Sequence, residues 1–63
     1  MSKPQTLTDQ QQETVKADYR LWSGNLPPTE TEIRRYVRYA MPADLPGAAT
    51  ARYLLTLMNE GWI

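Results

Sequence analysis

Thr29-Glu30-Thr31-Glu32-Ile33-Arg34-Arg35-Tyr36-Val37-Arg38-Tyr39-Ala40-Met41-Pro42 contains a helix start, a helix stop and a buried face in one continuous stretch. A Thr followed three positions later by Glu is the capping-box pattern, in which hydroxyl and carboxylate each satisfy an N–H of the first turn. Ile33, Tyr36, Val37, Ala40 and Met41 then recur at i, i+3, i+4, i+7 and i+8, the period of an amphipathic helix. Pro42 pushes the residue before it out of the α region, so this helix ends ahead of it.

Toward the N-terminus, Thr8-Asp9-Gln10-Gln11 repeats the start signal, and Asp9 and Glu13 suit the positive end of a helix dipole. The spacing predicts a first helix from there to about Trp22, stopped by Ser23-Gly24. Its apolar stripe, Val15, Tyr19 and Trp22, is thin, so it depends on neighbouring helices for burial. Gly24-Asn25-Leu26-Pro27-Pro28 reads as loop by composition. Residues 1–6 lack periodicity and read as a disordered lead-in.

Toward the C-terminus, Met41 to Gly47 is a two-proline connector, with Asp44 expected as cap and Pro46 in the first turn of a third helix over roughly residues 46–60. Gly61 suits the left-handed position after a helix, and Trp62 is placed to fold back on the last turn in a Schellman-type contact. No repeat or strand-like alternation is visible. The expectation is an all-α chain: a lead-in over 1–6 and one small three-helix domain over 7–63. Its core is drawn from Val15, Tyr19, Trp22, Ile33, Tyr36, Val37, Ala40, Met41, Ala51, Leu54, Leu55 and Met58.

A chain of 63 residues is near the lower limit for folding without a staple, which makes homodimerisation a natural source of further burial. With no Cys and no His, disulfides, thiolate nucleophiles and the usual zinc, copper and haem ligands are ruled out together. Seven basic and seven acidic side chains balance, so no global field steers the molecule to nucleic acid or to an anionic membrane. The apolar runs are far short of the ~20 residues a spanning helix needs, and the N-terminus does not resemble a secretory signal. Cytoplasmic location is the default expectation.

Nucleophilic catalysis would have to use Ser2, Ser23, a Thr, Lys3 or Lys16 without a His or Cys nearby, and these positions read as caps and tails. Glu30 and Glu32 form a carboxylate pair, but at a helix start they serve the dipole and the cap. Gly24, Gly47 and Gly61 stand singly at helix boundaries, leaving no phosphate cradle. No enzyme activity, cofactor or metal is expected.

Two features suggest binding. On the second helix, Arg34, Arg35, Arg38 and Tyr39 make a basic and aromatic surface, with Arg35, Arg38 and Tyr39 opposite the apolar stripe. Guanidinium groups recognise carboxylate or phosphate in a bidentate way, and an exposed aromatic ring can anchor in a partner's pocket. The competing account is a plain solvated face, since Glu30 precedes Arg34 by four and Glu32 precedes Arg35 by three. That account explains Tyr39 least well.

On the third helix, Tyr53 and Leu57 flank the Ala51/Leu54/Leu55/Met58 stripe and widen the apolar arc to roughly 220°, where a surface helix needs about 100°. Either this helix lies between the other two, or Tyr53 and Leu57, with Trp62 and Ile63, meet another chain. A helix-turn-helix is disfavoured by the two-proline connector and by a third helix that offers DNA little beyond Thr50, Arg52 and Tyr53. The functional expectation is a non-enzymatic protein-protein interaction module that binds a protein partner or itself. The alternative is a dimeric nucleic-acid-binding regulator contacting phosphates through Arg34, Arg35 and Arg38.

Overall fold

The structure, a computed structural model, describes residues 6–63, so the expected lead-in lies outside the described residues except for Thr6. Three helices, α1 (Asp9–Ser23), α2 (Glu30–Tyr39) and α3 (Gly47–Glu60), pack pairwise around one shared core. The expected small all-α, three-helix domain is what forms.

The helix boundaries follow from local chemistry. Thr8 Oγ1 accepts from the Gln11 N–H at 3.1 Å and Gln11 Oε1 accepts from the Thr8 N–H at 2.9 Å, a complete capping box. Gly24 stops α1 at φ 61°, a backbone region that side chains with a Cβ rarely adopt. At α2 only half the expected box forms: Thr29 Oγ1 accepts from the Glu32 N–H at 3.1 Å, while the Glu32 carboxylate turns toward Arg35. The Ala40 and Met41 N–H groups both donate to the Tyr36 carbonyl, at 2.8 and 2.9 Å, which closes α2 just ahead of Pro42.

The α3 start corrects the assignment of Asp44. The Leu45 N–H donates to the Pro42 carbonyl at 3.2 Å, a turn that drives Leu45 into the core and leaves Asp44 exposed. Pro46 is therefore the N-cap, without a side-chain bond to the first turn. At the other end the Schellman motif forms as expected. Gly61 sits at φ 81°, its N–H donating to the Met58 carbonyl, and the Trp62 N–H donates to the Leu57 carbonyl at 2.9 Å. The motif leaves the Trp62 indole outside, 66 % exposed, while Ile63 packs against the core.

Tyr36 is the pivot of the core. Fully buried, it packs edge-on to the Tyr19 ring at 5.3 Å between centroids and tilts against Trp22 at 5.6 Å. Its hydroxyl donates to the Asp18 carboxylate at 2.6 Å, tying α2 to α1. Trp22, expected among the core residues, closes this cluster from its rim at 38 % exposure.

The width of the apolar arc on α3 now has its explanation. The helix packs against both α1 and α2, and Leu54 and Leu57 are both buried core residues. Of the two alternatives for the Tyr53/Leu57 flank, Leu57 follows the first, a helix covered by its neighbours. Leu7, Leu45 and Ala49 also join the buried set, whereas Ala51 is only half-buried. The buried Thr50 hydroxyl donates to the Pro46 carbonyl at 2.8 Å, so its polarity is satisfied within the helix.

Burial raises the ionisation of Tyr36, Tyr19 and Tyr53 above the ordinary 10.0, with the Asp18 bond adding to the effect at Tyr36 and the Glu32 and Glu13 charges at the other two. The neutral phenols belong to the folded state. Their stabilisation is complete below pH 10.0, the ordinary ionisation of the unfolded chain, and is lost as pH rises through the higher folded values. Alkaline titration should therefore show most tyrosinate absorbance appearing together with loss of far-UV circular dichroism. Independent ionisation with the helices intact would contradict this coupling.

Candidate functional site

Burial of Ile33 and Tyr36 on one side of α2 turns Arg34, Arg35, Arg38 and Tyr39 to solvent on the other. With Thr31 these four line a shallow surface depression of about 340 Å³. The structure thus brings all four α2 candidates to one place. Their charges are unequally engaged. Arg34 Nε sits 2.9 Å from Glu30 Oε2 in an exposed i,i+4 pair, and an Arg35 nitrogen is 3.9 Å from Glu32 Oε1.

Arg38 has no carboxylate partner among the described residues, and its guanidinium carbon lies 5.8 Å from the Tyr39 ring centroid. That is within cation–π range, a contact worth about 0.5–1 kcal/mol at an exposed site. Three guanidinium groups facing two carboxylates leave the face with one net positive charge. Tyr39 is 76 % exposed, an aromatic ring held out in water beside the one unpaired guanidinium of this face.

The four C-terminal candidates do not form one surface. Leu57 belongs to the core, and Tyr53 is half-buried in a cleft with Leu7, Gln12 and Ala49. Trp62 and Ile63 line a different cleft, between the end of α1, the loop after it and the end of the chain. Leu26, 59 % exposed, shares that cleft, and Leu21 stands 83 % exposed on α1. Neither was identified from sequence. An apolar side chain within a Gly/Pro loop was the available signal at Leu26; at Leu21 it was a Leu off the Val15/Tyr19/Trp22 stripe.

Among the described residues, no three acidic side chains gather where a metal ion would be held, and no helix is long and apolar enough to cross a membrane. Comparison of the chain with family models, with curated proteins and with solved structures finds no match in any of the three.

Proposed function

We propose that this chain is a non-enzymatic protein-interaction module of the cytoplasm, engaging an acidic protein partner through the exposed face of α2. The observation that carries the reading is the pairing of an uncompensated Arg38 with a solvent-held Tyr39. Arg and Tyr are the residues in which interface energy concentrates, because each combines a large contact area with directed polar groups. On a purely solvated helix face the ring would gain only its weak contact with Arg38, which leaves most of its apolar surface in water.

Charge arithmetic favours a protein over a nucleic acid. Binding to duplex DNA strengthens with each phosphate neutralised, with a salt slope of about −0.9 per contact. A face carrying one net positive charge offers few such contacts, and Glu30 and Glu32 would repel the backbone. An acidic peptide needs only one or two guanidinium contacts beside an apolar anchor.

The test is affinity capture with the tagged chain, with and without nuclease, comparing wild type with Arg38→Glu combined with Tyr39→Ala. The expected result is a defined protein that survives nuclease and is at least about tenfold depleted by the double substitution, the loss of one hot-spot pair. Capture unaffected by the substitution would place the interface elsewhere. Capture abolished by nuclease would replace the reading with nucleic-acid binding. Light scattering on the purified chain tests whether the partner is a second copy.

A further inference from the structure

The depression on α2 is lined by hydrogen-bond donors, which narrows the chemistry of the group it can hold. Thr31, Arg34, Arg35, Arg38 and Tyr39 form the lining, and all five are exposed. Each of these side chains ends in an O–H or N–H group, whereas Glu30 and Glu32 are not part of the lining. Among the described residues, one guanidinium N–H of this face is committed: Arg34 Nε donates to Glu30 Oε2 at 2.9 Å. The Arg35–Glu32 separation of 3.9 Å is an ion pair beyond hydrogen-bond reach, and Arg38 has no carboxylate partner among the described residues.

The helical period concentrates these donors. Thr31, Arg34, Arg35 and Arg38 stand at i, i+3, i+4 and i+7, so their stems rise side by side with neighbouring Cβ atoms about 5–6 Å apart. Arginine side chains are long enough to span that interval, and two of them can close on a single group. A carboxylate, with two oxygens and one charge, fills one guanidinium fork. A phosphate monoester carries about −1.5 to −2 charges at neutral pH and three acceptor oxygens, which serve more than one fork and a hydroxyl together. A lone phosphate seated in the depression also avoids Glu30 and Glu32, which a nucleic-acid backbone running along the face would meet.

We infer, on the reading of α2 as the partner-binding face, that this depression is a phosphate-recognition site and that its partner is a peptide segment bearing a phosphorylated side chain. Arg38, the uncommitted guanidinium, takes the phosphate bidentately, and Arg35 and Thr31 donate to its remaining oxygens. The Tyr39 ring, 76 % exposed beside Arg38, packs against the adjoining peptide.

The experiment is an NMR titration of the whole chain, following the arginine Nε–H signals and the Tyr39 amide. The probes are inorganic phosphate and the capped peptide acetyl-Gly-Ala-X-Ala-Gly-amide, in which X is phosphoserine, glutamate or serine. The phosphopeptide is expected to give saturable shifts and to bind at least about fivefold more tightly than the glutamate peptide, the worth of one further hydrogen bond. Its affinity should rise as pH passes upward through about 6, where the phosphate takes its second charge. The chain has no His, so that change belongs to the ligand. Arg38→Gln, at an exposed position, should weaken phosphopeptide binding about tenfold or more, the loss of a charge-assisted contact. Arg38→Lys should lose less, keeping the charge without the planar fork. Equal binding of the phosphopeptide and the glutamate peptide would overturn the phosphate and leave an acidic partner; absence of saturable binding by either would overturn both. Inorganic phosphate binding as tightly as the phosphopeptide would overturn the peptide partner and leave an adventitious ion only. A folded Arg38→Gln chain that bound the phosphopeptide undiminished would overturn the assignment to this face.

Discussion

Tyr36→Ala is expected to leave the chain largely unfolded at room temperature. Removing a buried aromatic side chain costs about 3–5 kcal/mol, through lost burial and the cavity left behind. A domain of 63 residues has a total stability of only about 3–9 kcal/mol. Tyr36 contacts both Tyr19 and Trp22 and holds Asp18 through its hydroxyl, so the deletion opens the α1–α2 contact at its centre. Tyr36→Phe separates the two contributions. It keeps the ring and loses only the charge-assisted bond, for which about 1.5–3 kcal/mol is the usual range. Because Asp18 is half-buried and partly reached by water, a value near the lower end is expected. Urea unfolding followed by far-UV circular dichroism checks both, and a Tyr36→Ala chain with a midpoint near wild type would show that the cluster is not the centre of the core.

Leu57→Asp should be as damaging, and for a reason that changes how it is read. On an outward flank the substitution would report a partner interface. At 9 % exposure within the core it instead creates a cavity and places a carboxylate among apolar side chains. Large-to-small replacement alone costs about 2–5 kcal/mol, and the desolvated polar group adds to it. The expected outcome is loss of helical signal together with loss of any binding. Trp62→Ala, at a side chain 66 % exposed, should move stability by no more than about 0.5 kcal/mol, and so tests the C-terminal cleft without disturbing the fold. A Leu57→Asp chain that remained helical and lost only binding would return Leu57 to an interface.

These variants separate foldedness from recognition, which matters in a chain whose surfaces lie a few residues from its core. On α2, Tyr36 and Tyr39 are one turn apart, one fully buried and the other 76 % exposed. Substitutions at Arg38 and Tyr39 leave the α1–α2 contact intact and address binding alone.

The helices themselves were legible in the residue order, because their signals are local. Thr8 and Thr29 each meet an N–H three residues on, Gly24 and Gly61 take positive φ that other residues avoid, and the Ile33/Tyr36 spacing follows from 3.6 residues per turn. The solvent face of α2 was legible for the same reason, since the residues opposite a buried stripe must face outward. What the order of residues left open was set by contacts between distant segments. The wide apolar arc on α3 was compatible with a central helix or with an interface, and packing against both α1 and α2 decided it. Leu7 and Leu45 lie outside the helices, where no period marks an inward side chain, and only the approach of other elements buries them. The gathering of Tyr19, Leu26 and Trp62 around one cleft likewise depends on where the end of the chain meets the loop after α1. Local rules act over one or two turns, whereas the sharing of side chains among three helices is a property of their mutual placement.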